Sequence, residues 1–269
     1  MLKKSDPILH FLGTGHAHVS QCYNTCFFYQ EQNHIFLVDG GGGNQILGQL
    51  QNCGISLQDI HHFFISHAHT DHLLGAVWIV RLYASALCDK KIGEFLHIYG
   101  NIDVLSKLQK LCTMLLQPEY LQFINSGIML HNLTDGKSIP FFGTTIEFFD
   151  LHAVTAPQMG FQITTPQGLR LVFCGDEPYR LPKNTYLSNA DWAIHESTLI
   201  YPPTTASNVH ACIRSACELA EEFHVRNLIL CHLPDDQLTT RKKTVLEEGK
   251  RYFSGNLFCP DDLDVISLL

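Results

Sequence analysis

The stretch Ser66-His67-Ala68-His69-Thr70-Asp71-His72 is the most informative part of this sequence. Three imidazoles and one carboxylate fall within six residues, between a strand-like run at 63–65 and an apolar, helix-like run that begins at Leu73. Neutral imidazole and carboxylate groups are the ligands that zinc and other first-row metals take in proteins. A solvated histidine-rich loop would suit a lone histidine better than four metal-type groups at this spacing. The stretch therefore predicts a metal site.

The spacing also predicts how these side chains are shared. His67 and His69 are two residues apart, so they point the same way if the loop is extended. Asp71 and His72 follow where the chain turns into the predicted helix. We expect the two pairs to face two adjacent metal positions, since paired metals can activate water and clamp an oxyanion during hydrolysis. Two closed sites need more ligands than this motif offers, so the others must come from later in the chain.

Length and composition are those of a folded enzyme-like protein. The chain has 269 residues, of which 45% are hydrophobic and 16% charged, enough to bury a substantial core. No apolar run approaches the ~20 residues that span a bilayer. The residues at 1–7 lack a signal-peptide segment, and ten cysteines are scattered without a repeating frame. We therefore expect a cytoplasmic protein with reduced thiols and no membrane partner.

The net charge of −8 argues against a non-specific nucleic-acid binder, because such proteins usually carry a basic stripe. It does not exclude an enzyme with a local basic patch. The Gly-rich turn at 39–43 lacks a phosphate-binding signature, and we expect it to serve close backbone packing.

Hydrophobic patterning predicts strands that alternate with helices, and polar residues follow several of the strands. The predicted strands are at 8–12, 26–29, 34–38, 63–65, 95–99, 128–131, 138–140, 145–151, 161–164, 169–173, 192–194, 227–231 and 263–266. The predicted helices are at 45–50, 73–87, 101–116, 209–223 and 241–252. The polar residues at or after strand ends are His152, Asp176, His195, Glu196 and His232. This is the arrangement expected of a site along one edge of stacked sheets.

SHAHTDHLLG resembles the signature of the metallo-β-lactamase superfamily, and the later segments DLHAVTAPQMGF, FCGDEP and LILCH resemble its remaining motifs. The resemblance implies an α/β (α+β) fold, the four-layer αββα sandwich, formed by a single hydrolase domain over residues 1–269. It also implies two divalent metal ions, with zinc favoured and manganese or iron as alternatives. One metal would be held by His67, His69 and His152, the second by Asp71, His72 and His232, with Asp176 bridging.

A narrower resemblance is to ribonuclease Z, the tRNA 3′-processing endonuclease. FLGTGHAH, VDGGGGNQIL and His195-Glu196-Ser197-Thr198 are similar to its motifs, and Asn208-Val209-His210 resembles its second histidine motif. This implies that His210, oriented by Glu196, stabilises the transition state or protonates the leaving group, while Asp71 accepts the proton of a metal-bound water. His195 would only shape the loop. A helix-terminal histidine without a catalytic role is the alternative for His210.

We therefore expect a two-metal phosphodiesterase of ribonuclease Z type that uses a metal-bound hydroxide, with an RNA phosphodiester as substrate, tRNA processing as its role and a homodimer as its assembly. Three departures affect the substrate-gripping elements. The basic arm is missing between His152 and Asp176, residues 234–236 read Pro-Asp-Asp where the family has Arg-Tyr, and the segment 19–24 lacks basic residues. These departures favour a smaller or different phosphodiester.

Two other functions remain open. A carboxylic-ester, thioester or lactone hydrolase could use the same metal ligands, and a metal-stabilised binding protein would need no catalytic group. The groups beyond the ligand set, Glu196 and His210, argue against the second. β-Lactamase activity is disfavoured because it would leave the HEST motif unexplained.

Overall fold

A computed structural model describes residues 6–180, 186–203 and 209–269, and in these ranges the chain forms two seven-stranded sheets with helices. Asn208 of the predicted histidine motif lies outside the described residues. The strands are β1 (Ile8–Gly13), β2 (Cys26–Glu31), β3 (His34–Val38), β4 (Ile60–Phe64), β5 (Leu96–Gly100), β6 (Ile128–Asn132), β7 (Ser138–Phe141), β8 (Thr144–Asp150), β9 (Met159–Thr164), β10 (Arg170–Phe173), β11 (Trp192–Glu196), β12 (Asn227–Cys231), β13 (Asn256–Phe258) and β14 (Val265–Ser267). The α-helices are α1 (Gln45–Asn52), α2 (Thr70–Cys88), α3 (Ile102–Leu115), α4 (Pro118–Leu121), α5 (Ile213–Glu222) and α6 (Leu238–Gly249).

The chain divides into two compact units. Unit 1 comprises Met1–Gly13, Tyr23–Leu133 and Asp262–Leu269. Unit 2 comprises Thr14–Cys22 and Thr134–Asp261. That both units belong to one domain over residues 1–269 stays a prediction.

The sheet of unit 1 has the order β14-β1-β2-β3-β4-β5-β6. The strands from β3 to β6 are parallel, and α2 and α3 connect β4 to β5 and β5 to β6. Val38 at the end of β3 pairs with Phe64 at the end of β4. Because parallel strands end at the same edge, this register places Asp39 beside the segment that begins at Ile65.

The sheet of unit 2 has the order β13-β12-β11-β10-β9-β8-β7, and its strands from β10 to β13 are parallel. Glu196 at the end of β11 pairs with Cys231 at the end of β12. The register therefore brings Glu196 next to His232, and β10 delivers Asp176 to the same edge of this sheet.

Each unit buries an apolar helix face on its own sheet. In α2 the buried residues recur at helical spacing, as the sequence predicted. The buried apolar residues are Leu73, Ala76, Val77, Ile79, Val80, Tyr83 and Ala84. In α5 the buried face consists of Ile213, Ala216, Cys217 and Ala220. These faces hold the loops that begin and end the helices.

Several details differ from the sequence-based prediction. Helix α2 begins at Thr70, earlier than predicted, so Asp71 and His72 lie in its first turn. The short elements α4 and β13 were not predicted. Helix α5 begins at Ile213 rather than at 209, because Cys212 pairs with Leu199 as in a strand and has an extended backbone. His210 therefore lies in the loop before the helix.

The sequence analysis expects reduced thiols and no membrane-spanning segment. All ten cysteines lie within the described ranges, and each is a thiol rather than half of a disulfide. Among the described residues, no helix has both the length and the apolar character needed to cross a membrane.

Glycine is required where the turn after β3 meets α2. A Cβ at Gly75 would lie 1.8 Å from the carbonyl oxygen of Gly40, and Gly75 N donates to Gly41 O at 2.9 Å. The Gly-rich turn therefore serves close backbone packing, as predicted.

We predict that Gly75→Ala lowers the free energy of unfolding by at least ~3 kcal/mol, because two backbone segments must separate. The matched control is Gly48→Ala in α1, where a Cβ would meet nothing within 4 Å. It should change stability by ~1 kcal/mol or less, in the stabilising direction. Denaturant unfolding of metal-free protein measures both, and equal effects of the two variants would contradict the packing argument.

Stability should also depend on the protonation of His62 in β4. Burial and the neighbouring imidazoles, His97 first among them, lower the pKa of His62 to about 4. Between pH 6.5 and pH 4 the unfolded chain binds this proton more readily than the folded chain, so stability falls as the pH falls. With a discount for partial exposure, His62→Gln should reduce this loss by about 1 kcal/mol. Unfolding at pH 7.5 and pH 4.5 tests it, with His18→Gln as the control.

Candidate metal centre

The buried carboxylate of Asp39 organises the metal-type residues of unit 1. Asp39 is fully buried, with φ of 60°, and accepts hydrogen bonds from Ser66 N at 2.7 Å and Ser66 Oγ at 2.8 Å. Its Oδ2 also lies 2.8 Å from His72 Nδ1. Because a carboxylate accepts, His72 carries a proton on Nδ1 and presents the lone pair of Nε2. His72 Nε2 lies 3.2 Å from Asp71 Oδ2, so two ligand atoms converge.

The same carboxylate fixes the tautomer of His67 through a hydroxyl. Ser66 Oγ donates its only proton to Asp39 Oδ2, so it must accept from His67 Nδ1, which lies 3.0 Å away. His67 Nε2 then has a lone pair, and it lies 2.9 Å from Nδ1 of the exposed His69. The predicted ligands of this stretch are thus brought together in two pairs, His67 with His69 and Asp71 with His72.

The second set of ligands lies in unit 2, at the ends of β10 and β12. Asp176 Oδ2 lies 2.9 Å from His232 Nε2, and both side chains are buried. Asp176 N donates to Gln158 Oε1 at 3.2 Å, which fixes the turn after β10. His232 follows β12 with φ of 57°. The structure therefore brings Asp176 and His232 together, and their role as metal ligands stays a prediction.

A hydroxyl also fixes the tautomer of His232. Thr198 N and Thr198 Oγ1 both donate to Glu196 Oε2 at 2.8 Å. Thr198 Oγ1 has no second proton, so it accepts from His232 Nδ1 at 2.8 Å. His232 therefore presents the lone pair of Nε2 to Asp176. Both units therefore use the same hydrogen-bonded relay from a carboxylate through a hydroxyl to a histidine. The relay is Glu196–Thr198–His232 in unit 2 and Asp39–Ser66–His67 in unit 1.

His210 lies beside the same Glu196. Its Nδ1 is 3.1 Å from the backbone oxygen of Asp176 and 3.6 Å from Glu196 Oε1. Hydrogen bonding to Glu196 raises the pKa of His210, although burial acts in the opposite direction. His210 also lines a cavity of about 450 Å³ in unit 2, together with Arg180 and Arg214.

Glu196, His210 and His232 each offer one ligand atom within 4.8 Å of the others, so they are a second candidate cation site. Both oxygens of Glu196 are already engaged, one by Thr198 and the other by Ala211 N. The geometry therefore favours an orienting role for Glu196 over a ligand role.

Two predicted histidines behave differently. His152 has φ of 52° and an exposed side chain, with Nδ1 3.7 Å from Asp150 Oδ1. Its role as a metal ligand stays a prediction. His195 is buried, its Nδ1 lies 2.7 Å from Glu196 O, and burial lowers its pKa. That His195 only shapes the loop stays a prediction.

Sequence reasoning missed the residues that orient the ligands. Asp39 looks like a turn residue in sequence, and Ser66 and Thr198 look like neighbours of motif residues. His16 was also missed, and its ring centroid lies 6.2 Å from that of His232. Burial and the His232 and His18 imidazoles lower the pKa of His16. The one available signal was that Asp39, like Asp176 and His232, follows a predicted strand.

We predict that Thr198→Val weakens zinc binding about 10-fold, because His232 loses the acceptor that fixes its tautomer. Thr198→Ser keeps the hydroxyl and should bind nearly as tightly as the unaltered protein. Ser66→Ala should weaken zinc binding by a similar factor in unit 1. Competition with a chelator measures the affinities, and equal affinities of Thr198→Val and Thr198→Ser would refute the relay.

The chain matches the family model described as Anti-Pycsar protein Apyc1 over residues 8–252. It is also similar to ribonuclease Z of Saccharolobus islandicus (strain L.S.2.15 / Lassen #1), with 23% identity covering 97% of this chain and 99% of that protein. That alignment extends over 311 positions, more than the length of this chain, so the relative carries segments that this chain lacks.

Two solved structures have the same fold. YhfI from Bacillus subtilis, a metallo-β-lactamase fold protein, has a TM-score of 0.80 and 19% identity, covering 97% of this chain and 99% of that chain. The short form of human tRNase Z, ELAC1, has a TM-score of 0.73 and 18% identity, with the same coverage. The predicted αββα class and the resemblance to the metallo-β-lactamase superfamily and ribonuclease Z are confirmed. The family match extends over nearly the whole sequence, and the chain belongs to the Anti-Pycsar protein Apyc1 family.

Proposed function

We propose that this protein is a two-metal phosphodiesterase of ribonuclease Z type whose substrate is smaller than, or different from, a tRNA precursor. The observation that carries the proposal is the arrangement around Glu196. One carboxylate engages Thr198, which orients the ligand His232, and lies beside His210, a histidine outside the proposed ligand set. A purely structural metal site would not need His210 beside its ligands.

The donor chemistry fits two divalent ions. His67, His69 and His152 would hold one ion, and Asp71, His72 and His232 the other, with Asp176 as the bridge. The tautomers fixed in each unit support this assignment, since His67, His72 and His232 all present Nε2 lone pairs. Nitrogen and carboxylate donors suit zinc, with manganese or iron as alternatives. When bound, such ions would supply Lewis acidity and an activated water.

The residues of the chain would then handle the protons. Asp71 is buried beside His72 and would accept a proton from the attacking water. His210 would donate a proton to the leaving oxygen, and the Glu196 carboxylate favours its protonated form. The cavity beside His210 would accommodate the leaving portion of the substrate. Its wall contains Arg180 and Arg214, which pair with Glu177 and Glu218.

The substrate proposal rests on what the chain lacks in sequence. The ribonuclease Z relative carries additional segments, and this chain has no basic arm between His152 and Asp176. A net charge of −8 gives little long-range attraction for a large polyanion. The binding of a small phosphodiester, which carries few charges, depends less on long-range electrostatic attraction.

The test compares three substrates with metal-loaded protein: a tRNA precursor with a 3′ trailer, bis(p-nitrophenyl) phosphate and a simple thioester. We expect cleavage of the small phosphodiester and little or none of the precursor. Efficient cleavage at the trailer junction would show that the arm is dispensable and would overturn the substrate proposal. Turnover of the thioester alone would instead establish a carboxylic-ester, thioester or lactone hydrolase.

We predict that His210→Ala lowers kcat about 10²–10⁴-fold while the metal content is unchanged. The matched control is His61→Ala, which removes a histidine of similar exposure that pairs with Glu94 at 2.7 Å. It should leave kcat unaltered. Loss of one metal equivalent in His210→Ala would mean that His210 is a ligand.

A further inference from the structure

The loop at Thr14–Cys22 places a further histidine, His16, beside the candidate site of unit 2, and none of the sequence motifs indicates this. Leu233 N donates to Thr14 O at 3.1 Å, and His16 N donates to Leu233 O at 3.1 Å. Gly15 and Leu233 thus form a parallel bridge directly after the ligand His232. This pairing fixes the position of His16 relative to His232 through the backbone.

Two charged side chains fasten the rest of the loop. Asp235 Oδ2 accepts from Ser20 N and Gln21 N, each at 2.6 Å. The buried Arg241 donates to Thr14 Oγ1 at 2.8 Å. The Pro-Asp-Asp segment, which stands where ribonuclease Z has an Arg-Tyr pair, thus holds the Thr14–Cys22 loop through Asp235. A loop fastened at both ends can present a side chain in one orientation.

The protonation of the His16 ring follows from its backbone neighbour. His18 N donates to His16 Nδ1 at 3.1 Å, so Nδ1 must present a lone pair. The ring proton therefore lies on Nε2. His16 is partly exposed, and its ring stands nearly edge-on to that of His232, with centroids 6.2 Å apart. The centroid of His210 lies 5.8 Å from that of His232.

We propose that His16 is a substrate-binding residue whose Nε2–H donates a hydrogen bond to a non-bridging oxygen of a phosphoryl group held beside His232. This inference rests on the proposed phosphodiesterase function. The transition state of phosphoryl transfer carries its negative charge spread over the non-bridging oxygens, so a hydrogen-bond donor fixed there stabilises the transition state as well as the bound substrate. His210 and His16 divide the work: His210 serves the leaving oxygen, and His16 serves the oxygens that stay on phosphorus.

The test uses inorganic phosphate as the probe and zinc-loaded full-length protein. His16→Ala should weaken phosphate binding about 10-fold, a typical effect of losing a hydrogen bond to a charged group. It should lower kcat/KM for bis(p-nitrophenyl) phosphate by 10- to 100-fold. His16→Gln retains an N–H donor and should recover part of both losses.

The matched control is His18→Ala, which removes an imidazole from the same loop but keeps the backbone N–H that fixes His16. Its phosphate binding and turnover should equal those of the unaltered protein. Thermal unfolding of both alanine variants and of His16→Gln verifies that the loop stays folded. In the metal-free protein, long-range ¹H–¹⁵N spectra should show the Nε2–H tautomer of His16.

Several results would overturn the inference: no phosphate binding by the unaltered protein, equal phosphate binding by His16→Ala and His18→Ala, or loss of zinc in His16→Ala. A failure of the proposed function gives a different pattern. Phosphate binding would still depend on His16, but the unaltered protein would cleave no phosphodiester.

Discussion

The buried carboxylate of Asp39 is the constraint on which the candidate ligands of unit 1 depend. A charge without solvent must be compensated by hydrogen bonds, and Asp39 obtains them from the backbone and hydroxyl of Ser66 and from the ring of His72. These bonds select the tautomers of His72 and, through Ser66, of His67. One buried charge therefore determines which ring nitrogen of each histidine carries the lone pair.

Unit 2 reaches the same result with a different residue. Glu196 is fully buried and distributes its oxygens over Thr198 and Ala211, with His210 close by. Thr198 then relays the constraint to His232. In both units the carboxylate lies at or just after the end of a parallel strand. A hydroxyl group then links this carboxylate to the ring nitrogen of a histidine, so strand register determines which histidine is oriented. The hydrogen bonds that compensate the buried charge are therefore the same ones that fix the tautomers of the histidines.

Much of the site could be predicted because the informative groups cluster in sequence. His67, His69, Asp71 and His72 fall within six residues, and Asp176 and His232 follow recognisable strands. The hydroxyl relays could not be predicted in this way. Serine and threonine are common beside motif residues, and whether Ser66 or Thr198 donates or accepts depends on interatomic distances near 3 Å. The displacement of α5 from His210 likewise follows from the pairing of Leu199 with Cys212, which no helical periodicity reveals.

The sequence by itself determined the types of polar residue at the strand ends, their order along the chain and the alternation of strands and helices, because these depend on local spacing and hydrophobic period. Tertiary structure alone decided which carboxylate orients which imidazole, and it alone placed His16 beside His232. The physical reason is that both depend on pairing between segments far apart in the chain. Leu233 bonds to Thr14 and His16 across more than two hundred residues, and no local pattern encodes such a contact.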